Sequence, residues 1–315
     1  MIDATPIVAD PVDAARRDAD PMMEAGIAPP GWRLPATTRL GHVRLQVSDL
    51  ARSLDYYQQV LGLSVLEQSL GTATLGTTDG TTTLVQLTER RGAHPVPLHG
   101  RLGLYHFAIL LPDRPALGRF VAHLSEIGAR AGASDHLVSE AIYLRDPDGL
   151  GIEVYADRLR SSWRLVDRQL QMASEPLDLA DVARAAGDTR WTGMPAGTTM
   201  GHVHLHVANI EAAAAFFHGT LGFDKMVWSY PGALFLAAGG YHHHLGVNTW
   251  AGAAAPRPTE DDARLLEWRI VFPTAGDAQR AAAELARAGH VADDQGGEWL
   301  ATDPWGTSFR LLAQP

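Results

Sequence analysis

The chain repeats itself, and that constrains its fold more than any other feature. LGHVRLQVSDLARSLDYYQQVLGL at 40–63 reads against MGHVHLHVANIEAAAAFFHGTLGF at 200–223, with His42 opposite His202 and Gly62 opposite Gly222. Farther on, LRDPDG at 144–149 reads against ATDPWG at 301–306. A duplicated unit of this size predicts two homologous domains. The expected boundaries are 38–157 and 199–315, with a charged, Pro- and Gly-punctuated linker over 158–198 that holds one short helix near Leu179–Ala186. Residues 1–37, rich in Ala, Asp and Pro, read as a flexible N-terminal arm.

Each unit divides again. HVRLQV alternates apolar and polar residues, the period of a half-buried strand. Asp49 caps a helix in which Leu50, Leu54, Tyr57 and Leu61 fall at helical spacing, and Gly62 stops it. Three further strands follow in LSVLEQS, TATLGT and TTTLVQL. A second βαβββ module then runs from LYHFAILL through a helix at Arg114–Ile127 to strands in HLVS, EAIYLRD and GIEVYA. The predicted fold is α+β, with four βαβββ modules paired into two domains. Within HVRLQV, Val43, Leu45 and Val47 share one face, while His42, Arg44 and Gln46 share the other.

Composition narrows the chemistry. A net charge of −10 argues against nucleic acid or an anionic membrane as partner. The sequence has no cysteine, which excludes disulfides, Cys-ligated zinc and thiolate catalysis and leaves the fourteen histidines as candidate metal ligands. There is neither a signal-peptide-like apolar segment nor an apolar run of about 20 residues, so the expectation is a cytoplasmic protein.

In the first unit His42 and His106 lie on the opening strands of the two modules, and Glu153 lies on the last strand of the second. Glu153 stands among Ile152, Val154 and Tyr155, where a buried carboxylate needs a partner, and Arg145 is one candidate. If the two modules curl around one cleft, the two imidazoles and the carboxylate form a facial triad of the kind used by non-haem Fe(II) enzymes. Mn(II) or Zn(II) would also suit that donor set. In the second unit the matching places hold His202, Glu267 and Arg310, and an arginine cannot ligate a cation. That triad therefore reads as lost. The adjacent GGYHHHLGVNTW, with His242, His243 and His244, and the row His202, His204 and His206 read as a polar face in a vestigial cleft, a residual metal site, or a packing feature.

These residues carry a resemblance. The chain resembles the vicinal oxygen chelate (glyoxalase/extradiol dioxygenase) superfamily over about 38–315, and within it the two-domain extradiol ring-cleaving dioxygenases of the catechol 2,3-dioxygenase group. The motif is His136, Ile142-Tyr143, Asp146, Pro147, Gly149 and Glu153, with Ser134 departing from the pattern. The resemblance implies that His42, His106 and Glu153 hold Fe(II), that Tyr143 bonds a substrate oxygen, and that His136 lies near the bound diol. A further catalytic histidine is expected on the last strand of module one, where TTTLVQL has none. His94 and His99, in the loop after it, are the substitutes, His94 first. The implied partners are a small aromatic diol and O2, in a homo-oligomer. Aromatic residues Tyr143 and Tyr155 are expected to shape the pocket, with Tyr105 and Phe107 facing the core. The competing readings are a glyoxalase-like isomerase or lyase, and a protein that binds an aromatic compound or drug without turnover.

Overall fold

A computed structural model describes residues 25–97 and 99–314. Most of the predicted arm, residues 1–24, lies outside the described residues. The rest of it is not a free arm: Leu34 is buried, its N–H bonds Gly222 O, and Arg33 pairs with buried Asp224.

The four βαβββ modules are present, and each starts its helix with a short polar cap. Asp49 accepts from Arg52 N, Asp113 from Ala116 N, Asn209 from Ala212 N and Thr274 from Asp277 N. Such a side-chain acceptor satisfies a backbone donor that the first helical turn leaves free. The first helix, Leu50–Gln59, buries Leu50, Leu54 and Tyr57, and Gly62 follows with φ +71°, a conformation that favours glycine. In module three the helix Ile210–Ala213 continues as a π-helix over Ala214–Thr220. The short linker helix is Leu179–Arg184.

Module pairing differs from the sequence expectation. Within each module the opening strand pairs in parallel with the last, so its other edge is open: Val43–Val47 with Thr83–Glu89, and Gly103–Leu110 with Gly151–Asp157. An open edge must find another strand. The opening strand of module two, Gly103–Leu110, takes that of module three, Thr199–His206, in antiparallel register. Val43–Val47 of module one takes Arg264–Phe272 of module four. Each of the two large sheets thus draws one module from each half of the chain. The expected catalytic unit at 38–157, with modules one and two around one cleft, is corrected accordingly. The opening strands of modules one and three, HVRLQV and HVHLHV, share their alternation and leading histidine, so nothing in them specified which partner each takes.

A second correction concerns HLVS. The strand ends at Asp135, and Leu137 has φ +68°, its N–H held by Asp135 Oδ1 at 2.9 Å. His136 therefore sits in a hairpin turn, from which its ring can leave the plane of the sheet.

The D-P-D-G turn ties module two to module one. Buried Asp148 accepts from Ser48 N and Oγ, both at 2.7 Å, and from the Arg52 guanidinium. Asp146 Oδ1 accepts from the N–H groups of Asp148 and Leu150, and Tyr57 OH reaches Oδ2 at 3.3 Å. Burial, with the nearby Asp148 charge, pushes the Asp146 carboxyl up to about 7. The folded state therefore binds a proton that the unfolded chain has already lost above about pH 4. This contribution to stability is full below pH 4 and fades as pH rises through 7. Asp146→Asn keeps the Oδ1 acceptor but cannot ionise. It should flatten the loss of stability between about pH 4 and 7 and raise the unfolding free energy at pH 8 by about 1–2 kcal/mol, as read by urea denaturation from about pH 4 to 8.

Candidate metal centre and its cavity

The pairing of modules two and three decides which side chains meet. His106 lies on Gly103–Leu110, His202 on Thr199–His206, and Glu153 on Gly151–Asp157. Ala108 is the register partner of both His202 and Glu153. As the second residue after His106, it shares that residue's face of the sheet. Its single methyl leaves room for the three longer side chains to converge.

They converge closely. Nε2 of His106 is 3.0 Å from Glu153 Oε2, Nε2 of His202 is 3.1 Å from the same oxygen, and the two nitrogens are 3.2 Å apart. All three residues are buried. Three adjacent ligands on an octahedral ion with bonds of about 2.1 Å lie about 3.0 Å apart, against about 3.4 Å for a tetrahedron. The spacing fits one face of an octahedron, which leaves the opposite positions open. Burial pulls the His202 imidazole down to about 4, so its ring is neutral at pH 7. Burial opposes ionisation of Glu153, but the two imidazoles outweigh it and hold its pKa well below the usual range. Two imidazoles and a carboxylate aimed at one point form a donor set that a divalent cation could complete. His202 Nδ1 is buried without a partner.

His42 is not in this cluster. It lies at the start of the opening strand of module one, in the other sheet, where burial and the neighbouring Arg269 pull it down to about 4. The expected His42–His106–Glu153 set is therefore corrected to His106, His202 and Glu153. His202, read from sequence as the remnant of a lost site, takes the place expected for His42. At the matching place in the other sheet a side chain reaches the buried carboxylate. Arg310 Nε and NH2 approach the two oxygens of buried Glu267 at 3.0 and 2.9 Å, with Arg269 at 3.1 Å. Arg145, the candidate partner for Glu153, instead donates to Gly149 O.

A cavity of about 260 Å³ opens beside the triad. His136 and Tyr143 line it as expected, together with Tyr105, which sequence reasoning had assigned to the core. His136 Nδ1 donates to Ala173 O at 2.7 Å, so in the neutral ring Nε2 accepts from Tyr143 OH at 2.5 Å. Burial, with the Glu153 charge next, raises the Tyr143 hydroxyl well above its ordinary pKa. Tyr155 is fully buried and gives its OH to a contact with Tyr241 OH. His94 does not line the cavity: its backbone bridges to Asp262 and its side chain is largely exposed. His99 is exposed on a neighbouring hollow.

Sequence reasoning missed three contributors. The linker supplies Met172, Ala173 and Ser174 to the wall, and no motif announces them. Aromatic walls come from Tyr230, Phe235 and Trp250 of module three. His243, of the triple histidine, also faces the cavity, its ring 4.0 Å from that of His202. The bonds fix its tautomer. Asp157 Oδ1 can only accept, so His242 Nε2 donates to it at 2.9 Å. In a neutral His242, Nδ1 is then bare and accepts from His243 Nδ1 at 2.7 Å. That leaves His243 Nε2 as an unprotonated acceptor. Burial holds the His243 pKa well below the ordinary imidazole value.

Residues 39–154 match the profile of the Glyoxalase/Bleomycin resistance protein/Dioxygenase superfamily. A catechol-2,3-dioxygenase of Bacillus subtilis (strain 168) is 42% identical over 271 residues, which covers 85% of this chain and 94% of that protein. The chain belongs to this superfamily. Over most of its length it is similar to a dioxygenase of that superfamily. A lactoylglutathione lyase of Neisseria meningitidis (serogroup A / serotype 4A, strain DSM 15465 / Z2491) is 32% identical over 123 residues, 36% of this chain and 88% of that protein. The solved structures share the fold. Glyoxalase I from Zea mays superposes with a TM-score of 0.51 at 17% identity, covering 88% of this chain and 92% of the other. A Bacillus subtilis subsp. subtilis str. 168 protein of proposed dioxygenase function superposes with a TM-score of 0.65 at 13% identity, covering 90% and 87%.

The two sheets thus differ at matching places: one gathers His106, His202 and Glu153, and the other pairs Glu267 with Arg310. Removing that guanidinium should leave a buried carboxylate short of its best partner. Arg310→Ala is expected to cost about 2 kcal/mol of unfolding free energy and to leave the metal content of purified protein unchanged. Denaturant titration and elemental analysis check the two halves of that statement.

Proposed function

We propose that the chain is an Fe(II)-dependent extradiol dioxygenase that cleaves the ring of a catechol-like substrate with O2, and that His106, His202 and Glu153 hold the iron. The observation that carries this reading is the octahedral-face spacing of the three ligand atoms beside a cavity walled by aromatic rings. The relative named a catechol-2,3-dioxygenase supports the substrate class. Mn(II) suits the same donors. When bound, the ion supplies adjacent coordination positions for a vicinal diol and dioxygen and lowers the pKa of the diol.

The protein's own groups handle orientation and protons. Tyr143 OH, which gives its proton to His136 Nε2, stands next to Glu153 and is kept protonated, so its oxygen is left to accept a hydrogen bond from a substrate hydroxyl. His136 is fixed by Ala173 O and holds that hydroxyl in place. His243 lines the cavity and its Nε2 is bare, so it would accept the diol proton on binding and return it later in the reaction. This role falls to His243 rather than to His94. Tyr105, Tyr230, Phe235 and Trp250 bind the ring faces and exclude water.

The lyase alternative wants a further carboxylate ligand. Glu153 is the one carboxylate among the residues lining the cavity, which favours the dioxygenase. A homo-oligomer in the cytoplasm accompanies this proposal. Among the described residues no helix is long and apolar enough to cross a membrane.

Two sets of variants test the assignment. After anaerobic Fe(II) loading and desalting, His202→Ala and Glu153→Gln should keep less than about a tenth of the wild-type iron, while His42→Ala keeps it all. Iron retained by His202→Ala and lost by His42→Ala would reverse the assignment. His243→Asn should hold iron normally but lower kcat for catechol-dependent oxygen uptake about 100-fold, and His94→Ala should leave kcat at the wild-type value.

A further inference from the structure

The cavity beside the triad is not the end of the cleft. A second hollow of about 440 Å³ shares Tyr105, His106 and Tyr143 with it and runs on to Arg130 and Arg145. Strand register places the two hollows side by side. Gly132, Tyr143 and Glu153 form one row across three strands, and Arg145 and Gly151 form the row two residues on. Residues two apart on a strand share a face, at a spacing of about 7 Å. Arg145 therefore stands on the same face as Tyr143, one row beyond the metal ligands. Glycine is required at 151 by the close approach of the neighbouring strand: a Cβ there would meet Tyr105 O at 2.0 Å.

Among the described residues neither Arg130 nor Arg145 has a carboxylate within ion-pair distance; Arg145 makes one bond, to Gly149 O. Arg145 also borders the hollow on the other side of Tyr105. Two guanidinium groups without counter-ions thus flank the approach to the site, in a chain whose net charge is −10. A chain of that charge repels anions in general, so a local cationic approach selects for them.

We propose that Arg145, with Arg130, binds an anionic substituent on the ring, so that the preferred substrate is a catechol bearing a carboxylate rather than a neutral one. The diol sits at the triad, and the carboxylate reaches one row along the sheet to the guanidinium groups. The proposal rests on the diol-binding reading of the triad, and its test separates the two.

The probes are 3,4-dihydroxybenzoate and 4-methylcatechol, which share the diol and differ in charge. Anaerobic binding to the Fe(II)-loaded protein, read by quenching of intrinsic fluorescence, should favour the carboxylate. Arg130→Ala/Arg145→Ala should lower that preference, taken as a ratio of dissociation constants, by about tenfold. Arg145→Lys should restore part of it, and added salt should erode it in the wild type. Equal affinities in the wild type, or a ratio unmoved in the double variant, would overturn the proposal and mark the arginines as a solvated rim. If the ratio shifts as expected but neither diol supports oxygen uptake, the ring-cleavage reading fails and the anion subsite stands.

Discussion

The antiparallel pairing of two opening strands underlies everything else. Each module ends with its opening strand at the edge of its own small sheet, with a row of backbone donors and acceptors unpaired. Such an edge is stable when another edge covers it. When Gly103–Leu110 takes Thr199–His206, His106 and His202 arrive with their Nε2 atoms 3.2 Å apart. The parallel partner of Gly103–Leu110 then delivers Glu153 from the other side. The site follows from sheet pairing, with ligands on strands rather than loops, and rigid elements hold such geometry well.

The two sheets are two answers to one electrostatic problem. Both carry a carboxylate that the fold buries, Glu153 in one and Glu267 in the other. A buried carboxylate needs a positive partner or must give up its charge. In the module one and module four sheet, Arg310 supplies a tethered cation through a two-pronged bond, reinforced by Arg269. In the other sheet no arginine among the described residues reaches Glu153, and two imidazoles stand where a free ion could bind. A tethered guanidinium has no open coordination position, so the first sheet keeps structure and the second keeps the means for chemistry.

Much of this was legible in the sequence. Polar caps, helical spacing and alternating strands give the four modules, and the spacing of His136, Tyr143 and Glu153 marks one half of the site. The partner module was not legible. HVRLQV and HVHLHV present the same alternation and the same leading histidine, and strand pairing depends on edges and crossovers that no short stretch encodes. One wrong pairing exchanged His202 for His42 and moved the triple histidine from a vestige to a wall. Met172 to Ser174 were illegible for a different reason: a linker wall contributes by position and needs no distinctive side chain. The HLVS turn was misread because its residues favour a strand by type, whereas the Asp135 side chain, capping Leu137 N, imposes the turn.

The wall of histidines raises a question that burial answers. His202, His204, His243 and His244 lie close together, and as imidazolium ions they would repel any cation. Burial pulls all four below the ordinary imidazole pKa, with their mutual repulsion acting in the same direction for His204, His243 and His244. The group therefore presents lone pairs and N–H dipoles, and Glu153 presents the full negative charge. The hydrogen bonds then sort the lone pairs. Asn248 Nδ2 donates to His204 Nε2 while its Oδ1 accepts from His206 Nδ1, which fixes the amide and removes that lone pair from the cavity. Asp157 sets His242, which in turn sets His243, leaving a bare nitrogen on a cavity-facing ring. The same residue type thus stands both in the three-residue cluster and in the cavity wall, and the partner on the far side of a ring decides which of its nitrogens is left bare.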